Sequence, residues 1–222
     1  MKIKVIITGS TGMVGEGVLL ECLQNPNVEQ ILLLNRKPYG INHPQVKELI
    51  HSDFNNLSSI KEELMGYDAC FFCAGVSSVG MSKEEYFRLT YTLTMNFAKD
   101  LVAINPEMVF CYVSGRSTDS SEQGRVNWAN VKGKTENDLM RLPFRAVYNF
   151  RPGMMGPTKG AKNVKGAFKV IELLYPILRP FNKTYFLTLA EVGRAMINVS
   201  LNGYNKHVLE IQDISFLANN NQ

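Results

Sequence analysis

Short apolar runs of strand length alternate with longer stretches of helical spacing through most of the chain. The pattern predicts strands over residues 2–8, 30–34, 47–51, 69–73, 108–114 and 145–150, with a late one near 207–211. Helices are predicted over 12–23, 83–104 and 127–141, each stopped by a nearby proline, Pro26, Pro106 or Pro143. Residues 37–44 carry Pro38, Gly40 and Pro44, so this connection reads as a loop. Beyond Arg151 the pattern changes to a lysine-bearing helix over 167–178, a loop around Pro180 and a final helix over 190–201. Strand–helix alternation means βαβ units, and strands that are apolar on both faces suit a parallel sheet covered by helices on either side. The expected fold class is therefore α/β: a doubly wound parallel sheet in a single domain of residues 1–222, with 151–222 supplying a small helical cap and the last strand.

Composition narrows the classes without adding chemistry. At 45% hydrophobic and 20% charged, the 222 residues match a globular average and exclude a disordered or coiled-coil chain. The excess of 24 basic over 20 acidic residues, +4, is too small for a nucleic-acid footprint and favours small anions as partners. The apolar start ends in turn residues before any cleavage pattern, and no run is long enough to span a membrane, so a cytoplasmic location is expected. Cys22, Cys70, Cys73 and Cys111 read as buried residues of a reducing compartment, and His43, His51 and His207 lack ligand spacing, so no metal is expected. Cys70 and Cys73 share one strand, where an offset of three sends side chains to opposite faces.

The chemistry-bearing signal follows the first strand: Thr8-Gly9-Ser10-Thr11-Gly12-Met13-Val14-Gly15, opening a helix. Gly9 allows a tight turn, Gly12 lets the backbone approach a pyrophosphate, and Gly15 allows close helix packing, while the helix N-terminus offers unpaired amides. That context predicts dinucleotide binding. At the end of the second strand, where an acid would receive the ribose 2′-hydroxyl of NAD, the chain reads Asn35-Arg36-Lys37. Arg36, supported by Lys37, suits a 2′-phosphate, so NADP(H) is expected over NAD(H); a solvated basic turn is the competing reading.

These residues resemble the short-chain dehydrogenase/reductase superfamily, a Rossmann-fold group, in its extended or atypical, epimerase-like branch. Gly9 to Gly15 resembles that branch's nucleotide loop; Asp53-Phe54 its adenine-contacting segment; Cys73-Ala74-Gly75 the stretch that passes the cofactor; and Arg151-Pro152-Gly153 the loop bordering the nicotinamide. Residues 131–136 followed by 150–153 are most similar to the small TIP30-like NADP-binding proteins. The resemblance implies an NADP-dependent oxidoreductase or epimerase-like enzyme acting on a small molecule. It also implies a Tyr-x-x-x-Lys pair after the fifth strand, and here the chain departs from it: Trp128 holds the tyrosine position ahead of Lys132. An indole N–H cannot exchange its proton in the accessible pH range, so the usual mechanism is broken. Lys132, implied to bind the nicotinamide ribose, and Ser114, implied to hold the substrate oxygen, remain the candidate catalytic residues, with backbone capping as the alternative for Ser114. Tyr91, Tyr112 and Tyr148 are candidate substitute acids against core-packing roles. The alternative to an enzyme is a non-catalytic NADP(H)-sensing or scaffold protein. Lys159, Lys162, Lys165 and Lys169 read either as an anion or membrane-surface patch or as the solvated face of an amphipathic helix.

Overall fold

A computed structural model describes residues 2–156, 162–163 and 186–220. Every apolar run predicted as a strand enters one parallel sheet. Its strands are β1 (Ile3–Thr8), β2 (Val28–Asn35), β3 (Val46–Ile50), β4 (Ala69–Phe72), β5 (Val109–Val113), β6 (Ala146–Phe150) and, at the edge, Val208–Leu209. Numbering that edge strand β9, the order is β3-β2-β1-β4-β5-β6-β9, with all pairs parallel. The chain thus winds outward in one direction from β1 and then in the other from β4, which opens a crevice at the carboxyl ends of β1 and β4, where the order reverses.

Alternation along each strand divides the core in two. Val5, Ile7, Phe71 and Cys111 enter one cluster with Val18 and Leu19 of helix α1 (Met13–Gln24), whereas Ile6, Cys70, Phe72 and Phe110 enter the other with Phe97 and Leu101. The latter two belong to α3 (Leu93–Ile104), which continues α2 (Lys83–Phe87) through a π-helical turn at Arg88–Thr92. The single helix expected over 83–104 is therefore interrupted: one extra residue per turn shifts the buried face, placing Tyr86, Thr90 and Thr94 inside. Helix α4 (Asn127–Leu139) follows β5.

The C-terminal stretch departs further from expectation. Beyond β6 a two-stranded parallel ladder pairs β7 (Met154–Gly156) with β8 (Phe186–Thr188), too short to show in a periodicity window. Helix α5 (Leu189–Asn202) starts at a capping box, with the Thr188 hydroxyl accepting the Glu191 amide at 3.0 Å, and packs on α1. The strand expected over 207–211 stops after Leu209, because Glu210 caps a further helix, α6 (Ile211–Asn219), that buries Ile211, Ile214 and Leu217 at helical spacing. The helix expected over 190–201 is thus not the last. The predicted helix over 167–178, the loop at Pro180, Lys159, Lys165 and Lys169 lie outside the described residues.

Candidate coenzyme cleft

The bend after β1 is shaped by glycines whose roles differ. Gly9 takes φ +71°, and a methyl group there would lie 2.7 Å from the Ala74 amide nitrogen, so the bend lies directly against the end of β4. The Thr8 hydroxyl ties the same two places by accepting the Ala74 N–H at 3.2 Å. A methyl on Gly15 would lie 2.3 Å from the Gly9 carbonyl oxygen, so α1 can press on the bend only without a side chain there. Gly12, the N-cap of α1, has no atom nearer than 3.4 Å to where its Cβ would be and offers no side chain to the first amides of the helix. Those amides and the helix dipole remain available to an anion.

A cleft of about 490 Å³ opens at this point. Thr11 and Gly12 contribute to its lining from the bend, Asn35, Arg36 and Lys37 from the end of β2, Phe54 from the loop after β3, and Cys73, Ala74 and Gly75 from the end of β4. A smaller extension of about 40 Å³ runs from Arg36 and Phe54 past Ala74 to Val76, Leu89 and Leu93. Ser10 is buried, its hydroxyl accepting from Asn35 Nδ2 at 2.7 Å, and Met13 and Val14 are half-buried at the start of α1. Phe54 is buried against Phe97, ring centroids 5.4 Å apart, while Asp53 beside it is exposed and accepts the Asn55 amide at 3.0 Å. Arg36 and Lys37 are exposed and form no ion pair among the described residues. Burial pushes the Cys73 thiol up to about 12, so it is protonated at neutral pH.

The residues implied for catalysis come together at the ends of β5 and β6. Lys132 Nζ donates to the Ser114 carbonyl, and Ser114 in turn donates its hydroxyl to the Phe150 carbonyl at 3.0 Å. Ser114 is thus engaged as a backbone tie, keeping only its lone pairs for a ligand. Trp128 is half-buried one helical turn before Lys132 on α4. Burial draws Lys132 down to about 8, against the opposing charge of Glu136. None of the candidate substitute tyrosines is poised as an acid. Burial raises all three: Tyr112 is deep in the core, Tyr91 is held on Asp138 at 2.7 Å, and Tyr148 accepts the Tyr204 amide at 3.0 Å.

Arg151 is committed elsewhere in the molecule. Its guanidinium forks onto the buried Glu136 with Nε 3.1 and 3.2 Å from the two carboxylate oxygens, reaches Glu210 at 3.2 Å and touches Ser120, so it joins α4 to the start of α6. Only the backbone of the segment 151–153 remains to border a ligand, with the Pro152 carbonyl already accepting the Arg116 amide at 2.9 Å. Sequence reasoning missed Glu48 and Glu16, whose carboxylates organise the turn after β2; each stands in an ordinary mixed stretch with no spacing signal.

Lys132 gives a pH-dependent expectation. Its folded value lies below the ordinary 10.5, so the fold favours the neutral amine: the charge costs stability below about pH 8 and the cost vanishes as pH rises past 10.5. Lys132→Met should therefore stabilise the protein at pH 7 by about 1–3 kcal/mol. Paired thermal melts at pH 7 and near pH 10.5 should show that advantage shrinking at the higher pH.

Comparison with known proteins agrees with this geometry. A model described as the NAD dependent epimerase/dehydratase family matches residues 5–126. The chain is 29% identical over 142 residues to leucinostatins biosynthesis cluster protein T of Purpureocillium lilacinum, covering 62% of this chain and 51% of that protein. It is 25% identical over 151 residues to the mitochondrial protein FMP52 of Debaryomyces hansenii, covering 67% and 65% respectively. The matched region thus spans about half to two thirds of the length of these relatives. Among solved structures, DesIV, a dTDP-glucose 4,6-dehydratase of Streptomyces venezuelae with NAD and TYD bound, superposes with a TM-score of 0.68 at 16% identity, covering 94% of this chain and 75% of that one. The cytoplasmic expectation is contradicted by these relatives: FMP52 proteins from several fungi carry the name mitochondrial. Among the described residues no helix is long and apolar enough to cross a membrane.

Proposed function

Because the chain belongs to the NAD dependent epimerase/dehydratase family, we propose that it binds NADP(H) in the cleft at the carboxyl edge of the sheet and transfers hydride to or from a small carbonyl or alcohol substrate. One observation carries the reading: a helix N-terminus without a side-chain cap at Gly12, and Arg36, which forms no ion pair among the described residues, line the same cleft, a donor set that suits a pyrophosphate and a ribose 2′-phosphate together. We place the chain with the TIP30-like members and treat residues 1–222 as one body, supported by the hydrogen bonding of β9 beside β6 and the packing of α5 on α1.

The bound dinucleotide would supply or accept the hydride. The amides of the bend would hold its pyrophosphate, Arg36 with Lys37 its adenosine phosphate, and Phe54 with Ala74 and Gly75 the adenine side. Asp53, at the adenine end, and the backbone of 151–153, at the nicotinamide end, complete the assignment. Lys132 would hold the nicotinamide ribose and, with an amine near 8, is the group beside Ser114 able to move a proton at neutral pH. Ser114 would orient the substrate oxygen through its remaining lone pairs.

A second reading, NADP(H) sensing without turnover, is favoured by Trp128. The two are separated by Trp128→Tyr: a residual catalytic site should gain carbonyl-reducing activity, by about 10²-fold or more if the phenol restores acid catalysis. Activity in neither protein across a broad carbonyl panel would overturn the catalytic reading. Sensing would then require partner binding that differs between the oxidised and reduced coenzyme.

A further inference from the structure

The turn after β2 is held by a carboxylate from the neighbouring strand. Glu48 lies opposite Leu33 in the β2–β3 ladder. One of its carboxylate oxygens accepts the Tyr39 amide and lies 3.5 Å from Asn35 Nδ2, and the other accepts the Gly40 amide at 3.2 Å. Gly40, at φ +78°, supplies the left-handed residue that lets both amides face one side chain. Asn35 is itself locked to Ser10 of the nucleotide bend, and the Tyr39 hydroxyl donates to Glu16 of α1 at 3.0 Å. Arg36 and Lys37 are thus suspended between two anchored ends.

We propose that Glu48 is a positioning residue for coenzyme selection: by gathering the Tyr39 and Gly40 amides it holds the turn in the form that directs Arg36 into the cleft. This rests on the NADP(H) reading given above. Unanchored, a turn containing Pro38 and Gly40 would have to be ordered by the ligand, and part of what the phosphate contact contributes would be lost to that ordering. The Tyr39 and Gly40 amide dipoles partly offset the Glu48 charge that a phosphate beside Arg36 would meet. The effect acts through Arg36, so it should discriminate between coenzymes and not weaken both.

Calorimetric titrations with NADPH and NADH on wild type, Glu48→Ala, Arg36→Ala and the double variant test this. Glu48→Ala should weaken NADPH binding by about tenfold and NADH binding by less than about twofold, and the double variant should be no weaker for NADPH than Arg36→Ala alone. Equal weakening of both coenzymes, or additive losses in the double variant, would overturn the positioning role and leave the NADP(H) reading intact. An Arg36→Ala protein with unchanged NADPH affinity would instead refute the NADP(H) reading, and the positioning role with it. Should Glu48→Ala fail to fold, Glu48→Gln carries the comparison, since its single carbonyl oxygen can satisfy only part of the turn: a smaller shift of the NADPH to NADH ratio in the same direction is expected, and an unchanged ratio overturns the proposal.

Discussion

Arg151→Met is expected to lower the unfolding free energy by about 3–5 kcal/mol, because it strands a carboxylate that water cannot reach. Glu136 is fully buried, and its described hydrogen-bond partner is the Arg151 guanidinium. Removing the cation leaves the anion with its desolvation cost and only the Lys132 charge, one turn away on α4, to offset it. The same logic predicts the rescue: Arg151→Met combined with Glu136→Leu should recover most of the loss, since exchanging a whole buried pair for apolar side chains of similar volume is often close to neutral. Urea denaturation of the three proteins measures both. A single-variant loss below about 1 kcal/mol would mean that the pair is solvated and contributes no more than a surface bridge.

Arg36→Ala carries the second large effect. Charge-assisted hydrogen bonds to a phosphate contribute about 1.5–3 kcal/mol, so NADPH affinity should fall by about 10- to 100-fold, while NADH, lacking that phosphate, should change by less than about twofold. The NADPH preference should also weaken with added salt, because Arg36 is exposed. Equal affinities of the wild-type protein for both coenzymes would remove the basis for this assignment.

What was legible in the sequence was whatever repeats with a period or follows from one residue's stereochemistry. Strands such as Ala69–Phe72 are apolar throughout, and the glycines at 9, 12 and 15 announce the bend because no other residue fits two of those places. Trp128 at the position where the resemblance implies a tyrosine was equally visible. The π-helical turn at Arg88–Thr92 was not, since inserting one residue per turn leaves a stretch that still looks helical on average. The helix Ile211–Asn219 was hidden by its length and by a capping pair, Glu210 and Asp213, outside the usual serine or threonine pattern. The resemblance puts Arg151 beside the cofactor, whereas its side-chain partners, Glu136, Glu210 and Ser120, come from segments that only the fold brings together. Glu48 was unreadable for the same reason: three hydrogen-bond donors, from Asn35, Tyr39 and Gly40, converge on it across a ladder whose register no local pattern specifies.

The central claim is that the amides of Thr11 and Met13, beside the Ser10 and Gly12 amides already engaged within the bend, receive a diphosphate. A crystal structure of the protein grown with saturating NADPH addresses it most directly. The account predicts diphosphate oxygens at about 2.7–3.2 Å from those backbone nitrogens, with the adenosine phosphate beside Arg36. Coenzyme bound elsewhere, or a bend left empty at saturation, would contradict it.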